Sequence, residues 1–283
     1  MRLGCLRVIL GGSRRRNVGM SSMKIATWNI NGIKARHDTL LTWLREAEPD
    51  VACLQEIKSV DENFPGTDIE ALGYNVVTHG QKGFNGVAVL SRHPIDETRS
   101  GLPGDDDDPQ ARYLEVVISV ASGAVRIASL YLPNGNPVDT EKYPYKLAWM
   151  ARLEQHAAAL LQFEEPLVLA GDYNVIQQPI DARRPEVWVE DALFKPQTRS
   201  AFQRLAHLGF TDGVRACHRG EHDYTFWDYQ AGAWQKNNGI RIDHLMLSPQ
   251  AADRLSASGI DRHTRGWEKP SDHVPVWVDL DLG

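Results

Sequence analysis

Acidic, carboxamide and imidazole side chains stand at the points where apolar, strand-like runs of the sequence end. They are Asn29 after ATW, Glu56 after VACLQ, Asp172 and Asn174 after LVLAG, Asp243 within IRID, and Asp272 with His273 before VPVW. A single polar residue in such a place is typical of a turn or a cap. A set that combines carboxylates, carboxamides and an imidazole indicates an active site, because catalytic residues concentrate in the segments that follow strands.

The chemistry that suits this set is metal-assisted hydrolysis of a phosphate ester. Carboxylate and carboxamide oxygens are ligands for Mg²⁺ or Mn²⁺, whereas a zinc site would contain more histidine or cysteine. The metal offsets the charge that grows on the phosphate and acidifies a bound water. A carboxylate can then accept the proton of that water, and an imidazole held by a second carboxylate can stabilise the phosphate oxygens.

Signatures of several other enzyme classes are missing from the sequence. It contains no G-x-S-x-G, no G-x-x-x-x-G-K-[ST], no G-x-G-x-x-G after a strand and no H-E-x-x-H. These absences argue against a serine hydrolase, a P-loop kinase, a Rossmann oxidoreductase and a zincin protease.

The elements that must position these residues are mostly strands. KIATWNI and VACLQE flank a helix with apolar residues at helical spacing, YNVVTH and GVAVLSR follow, and RYLEVVISV joins VRIASLYL in a hairpin through residues 121–124. Helices are predicted over 141–163 and 198–208, and strands at LVLAG, YTFWDY, IRIDHLML and VPVWVDL. Strands outnumber helices, which favours a layered α/β sandwich with mixed sheets over a purely parallel sheet.

The overall composition is that of a soluble globular protein. The 283 residues carry 31 Lys and Arg against 37 Asp and Glu, a net charge of −6. No apolar run approaches the roughly 20 residues of a membrane span. Three scattered cysteines, Cys5, Cys53 and Cys217, favour a reducing, cytoplasmic location over a disulfide framework. We predict that residues 1–22 form an N-terminal extension that is disordered or precedes the native start. Residues 23–283 are predicted to form a single domain.

The residues singled out above also fall within a series of longer motifs. The series is NINGIKAR, LQEIK, LGYNVVTHGQKGFNGVAVLSR, LPGDDDDPQAR, YLPNG, AGDYN, GIRIDH and EKPSDHVPVW, running from about Lys24 to the C-terminus. It resembles that of the exonuclease III family, the abasic-site endonucleases and 3′ exonucleases of the endonuclease/exonuclease/phosphatase superfamily. The resemblance implies a four-layer α/β sandwich of the deoxyribonuclease I-like type, in which two packed, mostly antiparallel mixed sheets are flanked by helices.

The resemblance also implies roles for individual residues and Mg²⁺ or Mn²⁺ as the cofactor. Glu56 would be the principal metal ligand, and Asp172 would activate the attacking water. The metal-binding set would be Asn29, Glu56, Asp172, Asn174, Asp272 and His273, and the catalytic set Tyr131, Asp172, Asn174, Asp243 and His273. Asn29 would also orient Glu56, and Asp243 would orient His273.

Substrate contacts are expected on both sides of this set. Asn134 in YLPNG would touch the phosphate, and Phe226, Ile240 and Ile242 would line a pocket for a flipped-out abasic sugar, which has no base pairing to lose. The alternative for these three apolar residues is a place in the core. Several basic residues are expected to follow the DNA phosphates, namely Lys82, Lys34, Arg36, Arg92, Lys142 and Arg241. For each of them the alternative is an ordinary exposed charge on the surface. The acidic run 105–108 predicts a loop, with a cation site as the alternative.

The predicted function is that of a Mg²⁺-dependent DNA-repair hydrolase that acts as a monomer on double-stranded DNA. It would cut the backbone 5′ of abasic sites, remove 3′-phosphates and other 3′ blocking groups, and degrade duplex DNA from the 3′ end. Two alternatives stay open, a phosphatase of the same superfamily acting on inositol phosphates or lipids, and a non-catalytic nucleic-acid binder. The segments HGQKG, PGDDDD and EKPSDH favour the nuclease.

Overall fold

A computed structural model describes residues 22–121, 123–218 and 223–283 of the protein. The strands are β1 (Ser22–Asn29), β2 (Val51–Gln55), β3 (Asn75–His79), β4 (Val87–Ser91), β5 (Glu97–Ser100), β6 (Tyr113–Val120), β7 (Gly123–Tyr131), β8 (Leu167–Asp172), β9 (Thr211–Asp212), β10 (Asp243–Leu247), β11 (Leu255–Ile260) and β12 (Val276–Asp281). The α-helices are α1 (Ile33–Ala47), α2 (Gly66–Glu70), α3 (Lys142–Leu160), α4 (Pro196–His207), α5 (Gly213–Cys217) and α6 (Pro249–Ala252). Short 3₁₀ helices lie at Asp61–Asn63, Leu161–Phe163, Pro179–Asp181, Pro185–Val187 and Arg262–Gly266. The predicted N-terminal extension lies outside the described residues, apart from Ser22, which begins β1.

The strands form two six-stranded sheets with the same pairing pattern. The first sheet has the order β11-β12-β1-β2-β4-β3, and the second has the order β5-β6-β7-β8-β10-β9. Each contains one parallel pair, β1 with β2 and β7 with β8, while the other neighbours are antiparallel. A helix crosses over between the strands of each parallel pair, as that geometry requires. The predicted fold class of two mostly antiparallel mixed sheets is therefore confirmed.

Alternation of side chains along the strands creates the four layers. Ile25 of β1 points into the core between the sheets, whereas Trp28 points to α1, where its ring lies 5.4 Å from that of Trp43. On the far side of the second sheet, Trp149 of α3 and Phe202 of α4 share an apolar cluster with strand residues. The layers thus follow the order helix, sheet, sheet, helices.

A polar strip interrupts the core between the sheets. Thr27 donates to Gln55 over 3.1 Å, and Gln55 donates to Ser129 of the opposite sheet over 3.0 Å. All three side chains are fully buried. Because buried polar groups need partners, these bonds fix the two sheets relative to each other beside the strand ends that carry Asn29 and Glu56.

Two of the predicted strands differ from the structure. YTFWDY forms only isolated bridges, from Phe226 to Ile240 and to His273, and IRIDHLML becomes a strand at Asp243. The 224–226 segment instead bonds through single bridges and backbone contacts to Ile240 and Val274, without a continuous ladder. Conversely, the apolar pattern of the sequence did not predict β5 and β11, because β5 is polar throughout and β11 contains mostly small residues.

Two further expectations concern the membrane and the cysteines. None of the helices in the described ranges has the length and apolar character needed to cross a membrane. Cys53 is fully buried between the sheets, and burial raises the pKa of its thiol to about 12, whereas Cys217 is only half-buried.

Candidate active site

Neighbouring strands of the two sheets end together in a group of polar side chains. Tyr131 at the end of β7 pairs with Asp172 at the end of β8, and Asp172 pairs with Asp243 at the start of β10. In the first sheet, Asn29 ends β1 and Glu56 follows β2. Since the sheets pack face to face, these five predicted residues meet at one end of the sandwich.

Asn29 joins two of the carboxylates. Its Nδ2 donates to Oε1 of Glu56 over 2.9 Å and to Oδ2 of Asp172 over 3.0 Å. Its Oδ1 accepts the backbone N–H of Asn31 and is turned away from both carboxylates. Asn29 therefore lies where an orienting residue must lie, but the direction of its only side-chain oxygen argues against the predicted metal contact.

His273 lies between two aspartates. Its Nδ1 is 2.9 Å from Oδ2 of Asp243, and its Nε2 is 3.7 Å from Oδ2 of Asp172. Burial disfavours the charged imidazole, but the two carboxylates outweigh this effect and raise the pKa of His273 to about 10. Burial, reinforced by Asp243, raises the pKa of Asp172 to about 7 against the opposing effect of His273. His273 therefore stays protonated at neutral pH, whereas the raised pKa of Asp172 gives its carboxylate a higher affinity for a proton.

A chain of polar contacts links Glu56 to Asp272. Lys58 Nζ lies 2.8 Å from Oε2 of Glu56 and donates to Oδ1 of Asn31, whose Nδ2 donates to Oδ1 of Asp272 over 3.0 Å. Burial opposes ionisation of Glu56, yet the hydrogen bonds from Asn29 and Lys58 lower its pKa. Glu56 is consequently a carboxylate at neutral pH.

The possible ligand atoms at this end of the sandwich suit a hard divalent cation. Glu56 and Asp272 supply carboxylate oxygens, and among the described residues Asp172, Asp243 and His273 each place a ligand atom within 4.8 Å of the others. An oxygen-rich set of this kind suits Mg²⁺ or Mn²⁺. The carboxylates also repel one another, and a cation relieves that repulsion.

Tyr131 is held on both sides. Burial, followed by the carboxylates of Glu56 and Asp172, raises the pKa of Tyr131 well above its ordinary value, so the phenol keeps its proton. The Arg112 guanidinium lies 4.7 Å from the centre of the Tyr131 ring and donates to the Tyr131 backbone carbonyl over 3.1 Å. Tyr131 can thus act as a hydrogen-bond donor with little freedom to rotate.

Asn134 and Asn174 lie on the loops that follow β7 and β8. Asn134 Nδ2 donates to Oδ1 of Asn174 over 3.1 Å, and Asn174 Nδ2 donates to the carbonyl of Leu132 over 2.9 Å. Asn134 is exposed beside the site, as a phosphate contact requires. Both polar atoms of the buried Asn174 side chain are bonded within the protein, which argues against its predicted metal contact.

Of the three residues predicted to line a pocket, only Phe226 reaches the surface. Its ring is half-buried and lies 4.9 Å from the His273 imidazole. Ile240 and Ile242 are each 2% exposed and pack in a cluster with Ile176. The pocket prediction is wrong for these two isoleucines, because both precede β10 and turn inward; the alternative of a core position is correct.

Two of the basic residues predicted to contact DNA lie away from the site. Arg241 is 1% exposed, and its guanidinium donates to Asp181 over 2.8 Å and to Asp212 over 2.6 Å. Arg92 follows β4 at the opposite end of the first sheet and lies 3.5 Å from Glu48. Both predictions are wrong, because one side chain is committed to a buried ion-pair network and the other lies at the wrong end of the strands.

Four other basic residues reach the surface, which both the predicted DNA contact and the alternative of ordinary exposure require. Lys34, Lys82 and Lys142 are exposed, and Arg36 is half-buried and donates to the Tyr229 hydroxyl over 3.0 Å. Lys82 lies in a loop whose later residues bond the backbone just after Glu56, through Lys58 N–H to the Asn85 carbonyl. This contact brings the Lys82 loop beside the site.

The acidic run is a loop, as predicted, and its last residue is anchored to α3. Residues 105–107 are exposed, whereas Asp108 accepts hydrogen bonds from Tyr145 over 3.0 Å and Arg152 over 2.9 Å. These contacts fix one end of the loop to the helix.

Sequence reasoning missed Asn31, Lys58 and Arg112. Asn31 and Lys58 lie two residues after Asn29 and Glu56, inside NINGIKAR and LQEIK, so the motifs offered a signal. Their contacts depend on left-handed backbone conformations at Asn31, Glu56 and Lys58, with φ of 48°, 51° and 53°. These backbone conformations cannot be predicted from the residue types alone.

A two-sheet α/β sandwich with an Asp–His pair and converging carboxylates at one end defines a hydrolase built on layered sheets. The model of the Endonuclease/Exonuclease/phosphatase family matches residues 26–273, and the chain belongs to this family. Exodeoxyribonuclease III of Haemophilus influenzae is 34% identical over 266 residues, covering 91% of this chain and all of the relative (100%).

Solved structures of similar proteins agree with this assignment. The 3′ phosphatase NExo from Neisseria, bound to a product DNA hairpin, is 36% identical with a TM-score of 0.88, covering 92% of this chain and 99% of its own. An AP endonuclease from Archaeoglobus fulgidus is also 36% identical, with a TM-score of 0.87 and the same coverage of 92% and 99%.

Proposed function

We propose that the protein is a divalent-metal-dependent DNA-repair phosphodiesterase. It cleaves the backbone 5′ of abasic sites, removes 3′-phosphates and other 3′ blocking groups, and degrades duplex DNA from 3′ to 5′. The observation that carries the proposal is the setting of Asp172, 3.0 Å from the Asn29 amide and 3.7 Å from the His273 imidazole. The relatives named 3′ phosphatase, exodeoxyribonuclease III and AP endonuclease support the same substrate class.

Glu56 and Asp272 are the proposed principal ligands for Mg²⁺ or Mn²⁺, with Asp172 beside them. When bound, the cation supplies positive charge for the phosphate and lowers the pKa of water. Lys58 contacts Glu56 and Asn31 contacts Asp272, so both ligands are oriented by neighbours.

Asp172 is the proposed acceptor for the proton of the attacking water. Its Oδ2 accepts from Asn29 and its Oδ1 accepts the backbone N–H of Asn174 over 2.9 Å, so the carboxylate plane is set by two donors. Burial raises the pKa of Asp172, which increases the affinity of its carboxylate for a proton, as a general base requires.

His273 is the proposed donor to a phosphate oxygen, and Tyr131 is a second one. Asp243 occupies Nδ1 of His273 and keeps the ring protonated, which leaves Nε2–H free to stabilise negative charge. A protonated imidazole has no lone pair to give a metal, which favours this role over the predicted ligand role.

Contacts to the rest of the DNA are assigned to the rim of the site. We propose that Asn134 touches the phosphate, that Lys82 follows the backbone, and that the exposed edge of Phe226 packs against an extruded abasic sugar. The enzyme is proposed to act as a monomer in the cytoplasm on double-stranded DNA.

The deciding experiment is a gel assay of the wild type and Glu56→Ala with Mg²⁺ on three labelled duplexes, carrying an abasic site, a 3′-phosphate or an intact recessed 3′ end. The wild type should process all three, and Glu56→Ala should lose several orders of magnitude in turnover because it removes transition-state stabilisation. Glu62→Ala is the matched control, since Glu62 is exposed and lies six residues along the chain. Near-wild-type nicking by Glu56→Ala would refute the proposal.

A further inference from the structure

Lys146 is a fully buried lysine of α3 that lies directly behind the two substrate-side loops. Its Nζ donates to the backbone carbonyl of Asn134 over 3.0 Å and to that of Asn174 over 2.6 Å. One ammonium thereby ties the loop after β7 to the loop after β8. The helix pattern gives no sign of this, because a lysine on a helix is ordinarily exposed.

The two carbonyls belong to residues that already contact each other. Asn134 donates to Asn174 through their side chains over 3.1 Å, and the backbone N–H of Asn174 holds Asp172 over 2.9 Å. Lys146 therefore contacts both asparagines directly through hydrogen bonds, and it is linked to Asp172 through Asn174. A shift of either loop moves a proposed phosphate contact or the support of the proposed base.

Backbone geometry shows that the lysine and the loops are fitted to each other. Asn174 has a left-handed backbone with φ of 48°, and its carbonyl is bonded to the ammonium. Gly135 has φ of 88°, and a β-carbon there would lie 2.6 Å from Cδ of Lys146. Glycine is required at this position so that the lysine stem can pass beside the YLPNG loop.

Burial of an ammonium is unfavourable, and here burial lowers the pKa of Lys146 to about 7. A purely apolar side chain would fill the same space without that penalty but would leave both carbonyls without the donor that Lys146 supplies. Within residues 22–121, 123–218 and 223–283, no backbone N–H donates to the Asn134 or the Asn174 carbonyl, so Lys146 supplies the donor for both.

We propose that Lys146 is a positioning residue for catalysis, which holds Asn134 and Asn174 in the orientation that contacts the phosphate and supports Asp172. The inference rests on the proposed function, because the phosphate contact of Asn134 belongs to it. Lys146 touches no reacting atom and acts only through the two carbonyls.

The test compares Lys146→Met with Tyr145→Phe on the abasic duplex. Tyr145 is the preceding residue of α3, and its hydroxyl bonds Asp108 outside the site, so it controls for disturbance of the helix. Lys146→Met should lower kcat about 10- to 100-fold with little change in KM, since supporting residues of a site typically carry effects of this size. Tyr145→Phe should stay within about twofold, the expected range for a change that spares the site.

A double-mutant cycle with Asn134→Ala separates positioning from general stability. If Lys146 acts through Asn134, its replacement should cost at least about threefold less in the Asn134→Ala background, whereas a structural effect would multiply independently. Binding of the abasic duplex measured by anisotropy in EDTA, together with thermal unfolding, gives readouts that need no turnover. Lys146→Gln, which keeps one donor, runs through the same cycle if Lys146→Met does not fold.

The outcomes distinguish the inference from the proposed function. A wild type that leaves all three duplexes intact refutes the function. An active wild type with unchanged kcat in folded Lys146→Met, or with losses that multiply independently in the cycle for either variant, overturns the role of Lys146. Non-additive losses in kcat with preserved binding in EDTA establish it.

Discussion

The side-chain amide of Asn29 in the first sheet donates to the carboxylate of Asp172 in the second sheet over 3.0 Å, and both residues are at most 1% exposed. The same amide nitrogen bonds Glu56. The site is therefore assembled across the interface between the sheets, so the packing of the two sheets sets the spacing between the Glu56 and Asp172 carboxylates.

Replacing Asn29 by alanine should lower kcat on abasic DNA by about 10- to 100-fold, the usual cost of removing a partner that orients a ligand. Thr27→Val is the control, because Thr27 also bonds across the buried core but contacts Gln55 rather than a site carboxylate. Steady-state nicking kinetics of both variants decide the matter. Equal losses in the two would attribute the effect to sheet packing alone.

Asp243→Asn should lower kcat by about 10²- to 10⁴-fold, by analogy with removal of the carboxylate from other Asp–His pairs. The Asp243 carboxylate raises the pKa of His273, so its loss lowers that pKa and the alkaline limb of the pH–rate profile should move to lower pH. The exposed Asp253, changed to Asn, serves as the control. An unshifted alkaline limb would contradict the proposed role of His273.

Chelation with EDTA should abolish cleavage of all three duplexes, and Mg²⁺ or Mn²⁺ should restore it, since the clustered carboxylates repel one another without a cation. Titration of the metal into EDTA-treated protein, followed by cleavage rate, measures the effect. Glu56→Gln should raise the metal concentration needed for half-maximal rate. Full activity in the presence of excess EDTA would contradict the proposed mechanism.

Phe226→Ala should weaken cleavage at abasic sites more than removal of a 3′-phosphate, because only the first reaction needs an extruded sugar against the ring. The ratio of kcat/KM for the two substrates is the quantity to measure. Ile242→Val, a change in the buried cluster beneath Phe226, should leave that ratio unaltered. Equal losses on both substrates would show that Phe226 supports His273 rather than recognising the lesion.

Glu115→Gln should remove part of the acid sensitivity of folding. Burial opposes ionisation of Glu115, but hydrogen bonds from His156, Tyr113 and Arg126 outweigh it and lower its pKa from 4.5 to about 2. The folded state gains stability above the unfolded pKa and loses it as pH falls from about 4.5 toward 2, by up to about 3 kcal/mol.

Urea unfolding of the wild type and Glu115→Gln between pH 3 and 7 tests this linkage. The two stabilities should converge as pH falls, while the exposed Glu62→Gln stays parallel to the wild type throughout. A constant difference between wild type and Glu115→Gln would mean that Glu115 titrates normally.

The sequence predicted the location of polar side chains where the order and direction of the strands alone determine it. Asn29, Glu56 and Asp172 each come at the end of an apolar run, and the two parallel pairs carry those ends to one edge of the sandwich. The alternating pattern of β1 likewise separates the helix-facing from the sheet-facing residues. These features are local in sequence, and simple periodicity captures them.

Residues whose surroundings come from distant segments could not be assigned in this way. Arg241 sits one residue before Ile242 in a motif that suggested DNA contact, but Asp181 and Asp212, which lie 60 and 29 positions away, hold it in the interior. The same holds for Lys146, whose partners follow strands β7 and β8. Only the folded chain shows that such charges are buried.

Strand β12 enters the first sheet between β11 and β1, and it follows β1 in the chain by more than 240 residues. His273 immediately precedes it, and the His273 carbonyl accepts from the indole of Trp28 in β1 over 3.1 Å. At ~5–20 residues per second, a ribosome completes β1 many seconds before its partner β12 exists. Glu56 and Asp172 are therefore made before the imidazole, and the Asp243–His273 pair can form only after the segment that carries His273 has left the ribosome.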